Sequence, residues 1–494
     1  MQTQHSYQQL PPDFFQLCAP TPVAAPEWLA FNTELAQQLN FPAELAGTAA
    51  GLQLLAGNQL PEWASPLAQA YSGHQFGHLS PRLGDGRALL LAEVIDRQGN
   101  TVDLQLKGAG PTPFSRRGDG RSALGPVIRE YLVSEAMHAL GVPTSRALAA
   151  VLSGEPVVRE RLQPGGILTR VASSHIRIGT FQYVAMLNDS AKLAQLLDYA
   201  LARHYPAALA ADNKALALLQ QVSQAQAALV AHWMSLGFVH GVMNTDNMLI
   251  SGETIDYGPC AFLDSYQPAI VFSSIDQEGR YAYRNQPAIA QWNLARLAEA
   301  LLPLLATDEK TAIALATAEL NQFPQYYQQQ FNQRMAAKLG LSADMLLKHS
   351  AAVASLIQQW LQLLAQQQAD FTACHRQLAA ALADPAHPAG PTQLYSAAAD
   401  WLAFYQQWQL LRAQDSQRNA IRCQQQMLAV NPAFIPRNHQ IEQIIHQVTV
   451  EQELGLFQQF ARDLTSPFAL SADESRWAAV PEPTATPYRT FCGT

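Results

Sequence analysis

Apolar and polar residues follow two spacings along this chain, and each spacing predicts a type of element. Two apolar-rich runs at 88–96 and 101–107 flank the turn-forming stretch Arg97-Gln98-Gly99-Asn100, a pattern typical of a β-hairpin. Shorter β-like runs follow around 144–151 and 166–172. These four runs predict strands within the first third or so of the chain.

Helical spacing predominates elsewhere. Apolar residues recur three to four positions apart in four segments, which predict helices at 26–40, 122–140, 190–205 and 213–236. Gly141 follows the second of these helices and Gly237 the fourth, where a left-handed residue commonly ends a helix. From about 288 to 464 the chain is rich in Ala, Leu and Gln with helical periodicity, apart from one loop at 384–391. The proline-containing tail from Val480 is expected to be extended.

The chain therefore passes from a mixed part of strands and helices to a part made of helices. This order predicts an α+β protein with two lobes and not a doubly wound sheet. We expect an N-terminal region and N-lobe over 1–185, a helical C-lobe with C-terminal helices over 186–479, and an extended, cysteine-containing tail over 480–494. The segment 240–258 of the C-lobe carries the strongest candidate chemistry.

Composition narrows the class of protein. The 494 residues are 48% hydrophobic and 14% charged, as in a globular protein with a sizeable core. There is no uncharged apolar run of about 18 residues, and the N-terminus has no signal-peptide or transit-peptide features, so we expect a cytoplasmic protein with no membrane partner. The net charge of −8 disfavours nucleic acid as a partner.

The cysteines are few and scattered, at positions 18, 260, 374, 423 and 492. This usage indicates a reducing compartment and argues against a zinc site or a disulfide framework. Each cysteine is most simply a small buried hydrophobic residue. Cys492, in the proline-containing tail, fits that interpretation least.

Positive charge is concentrated in one part of the chain. Residues 82–177 hold 13 of the 31 Lys and Arg residues. A solvated basic face would explain this concentration, and so would a pocket for a polyanion. The glycines that lie between these cations favour the pocket, because glycine lets backbone N–H groups approach a phosphate closely.

Two glycine clusters are candidates for that phosphate contact. The first, Gly84-Asp85-Gly86-Arg87, precedes the 88–107 hairpin, and the second is Gly118-Asp119-Gly120. A plain turn explains the first cluster equally well. No G-x-x-x-x-G-K-[ST] motif occurs, which excludes a Walker-type site.

A lysine, a glutamate and two arginines add charge to this picture. Lys107 ends a predicted strand, and Glu130 follows 23 residues later on the next predicted helix, as in the Lys–Glu pair of kinases. A surface lysine and an ordinary helix glutamate are the alternative. Arg170 and Arg177 lie seven residues apart, and guanidinium groups suit bidentate phosphate binding, although surface arginines would be unremarkable.

The segment HGVMNTDNMLISGETIDYG, residues 240–258, is similar to the catalytic and metal-binding segment of a kinase with one part replaced. Val242 stands where a kinase has its base, and Asp246 directly precedes Asn247. We expect 247–250 and 254–257 to form a short hairpin that brings Asn247 and Asp256 to one side. Their oxygens suit Mg²⁺, which completes its shell with phosphates and water.

Together these motifs resemble the selenoprotein O (SelO) family, kinase-fold protein adenylyltransferases once classed as pseudokinases. The match runs from about residue 71 to residue 285 and includes YSGHQFGHLSPRLGDGRALLL and LKGAGPTPFSRRGDGRSALG. The resemblance implies a two-lobed protein-kinase-like fold with an α-rich C-terminal extension. It also implies an enzyme of the nucleotidyltransferase class that binds ATP in a flipped orientation and transfers AMP to Ser, Thr or Tyr hydroxyls of proteins, itself included.

The resemblance assigns roles to individual residues. Asp246 would be the catalytic base, and Asn247 and Asp256 would hold Mg²⁺, with Mn²⁺ as the alternative metal. The ATP-binding positions would be Gly84, Gly86, Arg87, Lys107, Asp119, Gly120, Arg170, Arg177 and Asp256, with Glu130 paired to Lys107. The expected partners are ATP and protein substrates, and the expected state is a monomer.

Two other functions fit the same residues. A phosphotransferase would use Asp246 as a displaced base, and a catalytically inactive scaffold, with or without bound nucleotide, would account for Val242. The intact Asn247 and Asp256 disfavour the scaffold, because a protein that binds no nucleotide has no use for metal ligands. Some family members form a redox-sensitive disulfide between the tail and the segment after the metal-binding Asp. Here Cys260 is the partner available to Cys492 near that position, and a pairing of the two stays open.

Overall fold

The N-terminal region is built on a nine-stranded antiparallel sheet, seen in a computed structural model that describes residues 1–382, 390–415, 419–482 and 488–490. The strands, in chain order, are β1 (Gln2–Gln4), β2 (Phe15–Leu17), β3 (Glu27–Phe31), β4 (Leu67–Gln69), β5 (Gly73–Gln75), β6 (His78–Ser80), β7 (Ala88–Ile95), β8 (Thr101–Lys107), β9 (Ser122–Ala123), β10 (Arg146–Val158), β11 (Leu162–Ala172), β12 (Phe238–Val239) and β13 (Ala261–Phe262).

Seven strands form the main path of the sheet, in the order β2, β4, β7, β8, β11, β10, β3. Strand β1 pairs with β7, and β9 pairs with β11. Two small ribbons, β5 with β6 and β12 with β13, lie outside this sheet. One face of the β7–β8 hairpin packs on an apolar cluster that includes Leu91 and Leu106, and the other face buries the polar residues Glu93, Asp103 and Gln105.

Helices make up most of the rest of the described chain. They are α1 (Thr33–Gln38), α2 (Ala49–Leu55), α3 (Leu124–Ala139), α4 (Ile178–Ala185), α5 (Ser190–His204), α6 (Lys214–Leu236), α7 (Gln286–Leu305), α8 (Glu309–Leu320), α9 (Phe323–Lys338), α10 (Ala343–Lys348), α11 (Ser350–Gln367), α12 (Phe371–Leu378), α13 (Ala398–Ala413), α14 (Ala420–Val430), α15 (Asn438–His446) and α16 (Gly455–Asp463).

Two helices set the position of the site. Helix α3 packs on β10 and β11 and buries Leu132 and Met137 in the larger core. Helix α6 packs against α7 and α9 and ends at Gly237, whose φ of 73° is left-handed. The β12 strand begins directly after this glycine, so the end of α6 directs the chain into the candidate catalytic segment.

The α+β class is confirmed, and so are most of the predicted elements. The 88–107 hairpin and the long helices α3, α5 and α6 lie where the apolar spacing placed them, with Gly141 and Gly237 after their helices. The strands predicted near 144–151 and 166–172 are longer than expected and pair with each other. The lobe boundary after residue 185 stays a prediction. The predicted loop at 384–391 falls mostly on 383–389, outside the described residues.

The helix predicted over 26–40 is wrong in its first half. Residues Glu27–Phe31 form β3, which pairs with the edge of the sheet through β10. The helix starts only after Asn32, whose side chain accepts a hydrogen bond from the backbone N–H of Leu35 at 3.0 Å. Pairing at a sheet edge satisfies the backbone of this segment, and it overrides the helical spacing of the aromatic residues.

The hairpin predicted from 247–250 and 254–257 is also wrong. Leu249 forms a bridge with Arg177, whereas Thr254 forms one with Thr144. The two segments therefore pair with different parts of the chain and not with each other. Among the described residues, no helix combines the length and apolarity needed to cross a bilayer.

Candidate active site

A cavity of about 990 Å³ lies between the sheet and the helical part and collects the predicted site residues. Its lining includes all twelve of them: Gly84, Gly86, Arg87, Lys107, Asp119, Gly120, Glu130, Arg170, Arg177, Asp246, Asn247 and Asp256. Positions up to 172 residues apart in the chain thus face one space. A cavity of this volume is within the range of small-molecule and cofactor sites.

Four charged side chains form the inner end of the cavity. The Nζ of Lys107 lies 2.7 Å from Oε2 of Glu130 and 2.7 Å from Oδ1 of Asp256. Arg170 Nη2 lies 2.7 Å from the same Asp256 oxygen, and Arg170 Nε donates to Glu130 Oε1 at 2.9 Å. Two cations and two carboxylates are thus arranged as a closed cluster, in which Lys107 lies beside Glu130.

The fold accounts for this cluster. Lys107 ends β8, which pairs with β11, the strand that carries Arg170. Helix α3 packs against β11 and carries Glu130. Asp256 has a φ of 62°, a left-handed conformation that is costly for a residue other than glycine. Such strain is concentrated at functional sites, where the surrounding contacts hold it in place.

The neighbouring cations determine the protonation states of Asp256 and Glu130. Burial alone raises the pKa of Asp256, but the adjacent Arg170 and Lys107 outweigh it and hold the pKa well below its usual range. Glu130 shows the same balance, with its pKa lowered by Arg170 and Lys107 against the effect of burial. Both groups are therefore ionised at neutral pH.

Arg177 lies beside this cluster and has partners that the sequence did not indicate. Its guanidinium lies 4.3 Å from the centre of the Tyr71 ring, and its Nη2 is 3.6 Å from Asp85 Oδ1. Its Nη1 donates to the backbone oxygen of His175 at 2.9 Å. Within the described chain its buried Nε has no hydrogen-bond partner. Arg177 is therefore held in place, and its Nε is available to donate a hydrogen bond to a ligand.

Asp246 occupies a different environment in the same cavity. Its Oδ2 accepts a hydrogen bond from Gln75 Nε2 at 3.2 Å. Its buried Oδ1 has no hydrogen-bond partner among the described residues. Burial raises the pKa of Asp246 to about 6. A carboxylate with few donors and a raised pKa has the properties of a proton acceptor near neutral pH.

Asn247 and Asp256 fit a divalent metal. The Nδ2 of Asn247 donates to the backbone oxygen of Val242 at 2.9 Å, so the amide oxygen is the atom left for a ligand in the cavity. An ionised Asp256 and an amide oxygen are hard ligands, as Mg²⁺ prefers, and few protein ligands suffice where phosphates complete the shell. The described residues contain no cluster of three His, Cys, Asp or Glu side chains suited to a metal.

This chain is similar to known proteins along most of its length. The family model for the protein adenylyltransferase SelO matches residues 1–465. The chain belongs to the SelO family. It is 51% identical to the protein nucleotidyltransferase YdiU of Rhodopseudomonas palustris, over 99% of this chain and 98% of that protein. The YdiU proteins of Rhizobium rhizogenes and Bacillus cereus are 51% and 48% identical, over 99% of this chain and 96% and 98% of theirs.

Membership in the SelO family confirms the prediction of an enzyme of the nucleotidyltransferase class. The match also extends well beyond the region that carries the motifs, because it includes most of the helical part. The C-terminal helices are therefore part of the family's structure and not an unrelated addition.

The glycine clusters of this SelO-family chain lie at the mouth of the cavity. Gly84 has a φ of 75°, and a Cβ atom there would lie 2.3 Å from the Phe114 ring, so the close approach requires glycine. Asp119 forms an ion pair of 2.8 Å with Arg159 and is about half exposed. Arg116 and Arg117 also line the mouth, although the sequence analysis had not singled them out.

The cysteines show no disulfide in the described part of the chain. Cys260, Cys374 and Cys423 are buried, as expected for small apolar residues, and Cys18 is half-buried. Burial raises the pKa of Cys260 to about 12, which keeps its thiol protonated. Cys492 lies outside the described residues, so its pairing with Cys260 stays open.

Proposed function

We propose that this SelO-family protein transfers AMP from ATP to Ser, Thr or Tyr hydroxyl groups of proteins. The observation that carries the proposal is the group of three cations at the inner end of the cavity, where Lys107, Arg170 and Arg177 lie around Asp256. Three cations at the closed end exceed what a kinase Lys–Glu pair provides. They suit the most highly charged part of ATP, its terminal phosphates.

The position of these cations supports a flipped orientation of ATP. With the β- and γ-phosphates directed inward, the α-phosphate comes to lie nearer Asn247 and Asp246. The spare Nε donor of Arg177 supports the same orientation, because a buried guanidinium with an unused donor favours an anionic ligand. An acceptor hydroxyl that enters beside Asp246 would then meet the α-phosphorus and not the γ-phosphorus.

The proposed reaction is a single displacement at the α-phosphorus. The hydroxyl oxygen of the acceptor forms a bond to the α-phosphorus, and the bond from that phosphorus to the oxygen bridging the α- and β-phosphates breaks. Pyrophosphate leaves, and the hydroxyl proton passes to the carboxylate of Asp246. The buried position of Asp246 raises its pKa to about 6, a value suited to a general base at neutral pH.

The remaining residues bind and orient the nucleotide. Asn247 and Asp256 would hold Mg²⁺, or Mn²⁺ in its place. A bound metal ion would neutralise phosphate charge and fix the phosphates relative to the acceptor. Lys107, held by Glu130, and the two arginines would bind the terminal phosphates. The glycine clusters around Gly84 and Gly120 would close over the nucleotide with Arg87 and Asp119.

The proposed partners follow from this chemistry. They are ATP and proteins that present a hydroxyl group, with the enzyme's own hydroxyls included. The net charge of −8 argues against nucleic acid. We propose that the enzyme works as a monomer.

Labelled ATP tests the proposal. The protein is incubated with Mg²⁺ or Mn²⁺ and with ATP labelled either at the α- or at the γ-phosphate, and label on protein is measured. We expect α-label on protein, including the enzyme itself, and no γ-label. Transfer of γ-label alone would establish a phosphotransferase instead. ATP binding without transfer of either label would leave the scaffold as the function.

A further inference from the structure

The β5–β6 ribbon lies against the catalytic segment and contacts it residue by residue. The backbone N–H of His74 donates to Thr245 Oγ1 at 2.7 Å, and the backbone N–H of Phe76 donates to Asn244 Oδ1 at 3.2 Å. Between them, the Gln75 side chain donates to Asp246 at 3.2 Å. Three consecutive residues of the ribbon thus contact three consecutive residues of the catalytic segment.

The ribbon also requires glycine where it meets the catalytic carboxylate. A Cβ atom on Gly73 would lie 2.1 Å from Oδ1 of Asp246, a distance that no side chain tolerates. Oδ1 is therefore enclosed against the Gly73 backbone, and it is also buried without a hydrogen-bond partner among the described residues. Oδ2 is the oxygen that Gln75, itself a residue of the cavity lining, contacts.

The rest of the ribbon is anchored independently of Gln75. His74 Nδ1 and Gln182 Nε2 form a hydrogen bond of 2.8 Å. The His74 ring packs edge-on against Trp292, with 5.3 Å between ring centres. The Phe76 ring packs on Tyr281 at 5.2 Å. Because these contacts and the two backbone hydrogen bonds hold the ribbon, the Gln75 amide is not needed to fix its position.

From these contacts we infer that Gln75 is a positioning residue for the transfer reaction, which holds the Asp246 carboxylate with Oδ2 directed at the acceptor hydroxyl. This inference rests on the proposed role of Asp246 as the base and adds a residue outside the kinase-like motifs. The amide donates to one oxygen while the Gly73 backbone encloses the other, so the carboxylate has one orientation. Gln75 itself lines the cavity, within reach of the acceptor side.

Substitution of Gln75 tests the inference in the full-length protein. Gln75→Leu keeps the size of the side chain and removes the donor, and Gln75→Glu replaces the donor with a second carboxylate. We expect each change to lower kcat about 10- to 100-fold, the effect of losing a hydrogen bond to a charged group, with KM for ATP within about twofold of wild type. Gln75→Asn, which keeps the amide on a shorter stem, should recover part of the loss.

His78→Ala is the matched control, because His78 faces Gln75 across the ribbon and is exposed. It should leave kcat and KM unchanged. Thermal unfolding of every variant is measured alongside, and Gln75→Glu and Gln75→Asn keep the test valid if Gln75→Leu folds poorly. A kcat of folded Gln75→Leu and Gln75→Glu within twofold of wild type would overturn the inference.

A double substitution separates positioning from a general structural effect. In the Asp246→Asn background, Gln75→Leu should lower the residual kcat no further, since Gln75 acts through Asp246. An equal loss in both backgrounds would overturn the inference in favour of a structural role. Full activity of Asp246→Asn alone would overturn the proposed base, whereas an inactive Asp246→Asn together with a fully active Gln75→Leu would overturn only the role of Gln75.

Discussion

Two carboxylates ten residues apart face the same cavity and have opposite surroundings. Asp256 accepts contacts from Lys107 and Arg170, each at 2.7 Å, and these cations hold its pKa well below the usual range against the effect of burial. Asp246 receives one long side-chain hydrogen bond from Gln75, and burial raises its pKa to about 6. The same residue type therefore has opposite pKa shifts at two positions of one cavity.

We propose that this difference separates metal binding at Asp256 from proton transfer at Asp246. A carboxylate that stays ionised is a stable ligand for a metal, and one with a pKa near neutrality accepts and releases a proton. Pairs of titratable groups whose environments move their pKa values apart are a recurring sign of such a division.

The largest effect is expected at Asp256. Asp256→Asn removes the charge that we propose holds the metal, and it leaves Lys107 and Arg170 without one of their two carboxylate partners. AMP transfer should fall by a factor of about 10³ or more, and the dependence of ATP binding on Mg²⁺ should disappear. Labelled-ATP transfer and calorimetry with and without Mg²⁺ measure the two effects. Asp198→Asn, an exposed change on α5, is the control, and wild-type turnover in Asp256→Asn would show that Asp256 has no role.

The next effect is expected at Asp246 and should be confined to the chemical step. Asp246→Asn keeps the shape of the side chain and removes its ability to accept a proton. We expect kcat to fall by roughly 10² to 10⁴, the usual contribution of general acid–base catalysis, while ATP affinity stays nearly unchanged. Steady-state kinetics and direct ATP binding separate the two. A variant that loses ATP binding in proportion to turnover would contradict this division of roles.

A smaller effect is expected from the arginine beside the inner cluster. Arg177→Gln removes a charged donor for the terminal phosphates and should weaken ATP binding by about 1.5 to 3 kcal/mol. Turnover at saturating ATP should change much less. Arg97→Gln, in the exposed turn between β7 and β8, is a control of the same chemistry outside the cavity. Normal ATP affinity in Arg177→Gln would remove this residue from the binding site.

Much of the site could be predicted from the sequence because its elements are regular. Lys107 ends a strand with clear alternation, and Glu130 lies on a helix with clear periodicity, so their pairing follows from the kinase pattern. The spacing of Arg170 and Arg177 was visible for the same reason. The segment from Val242 to Asp256 was recognised by its order of residues, even though its predicted hairpin does not form.

Other parts of the site depend on contacts between distant positions. Gln75 meets Asp246 across 171 positions, and Asp85 meets Arg177 across 92, without any periodic signal at either end. The contact between Tyr71 and Arg177 could not be predicted either, because an aromatic residue in a loop does not indicate that a cation packs on its ring. Strand β3 was missed since its partner at the sheet edge lies more than 100 residues away.

The last prediction concerns stability rather than activity, at a buried amino group outside the ion cluster. Lys338 on α9 is 4% exposed, its Nζ donates to Asn431 Oδ1 at 3.0 Å, and burial lowers its pKa to about 7. Between pH 7 and about 10.4 the unfolded chain holds a proton that the folded protein has lost, so stability rises with pH there. The difference in free energy of unfolding between wild type and Lys338→Met should therefore shift in favour of wild type as the pH rises, by up to about 1.4 kcal/mol per pH unit within this window. Below the window the difference should stay constant.

Urea unfolding at several pH values measures this difference, with exposed Lys348→Met as the control. A difference that does not change with pH would mean that Lys338 keeps its charge inside the fold, as the ion cluster around Asp256 does.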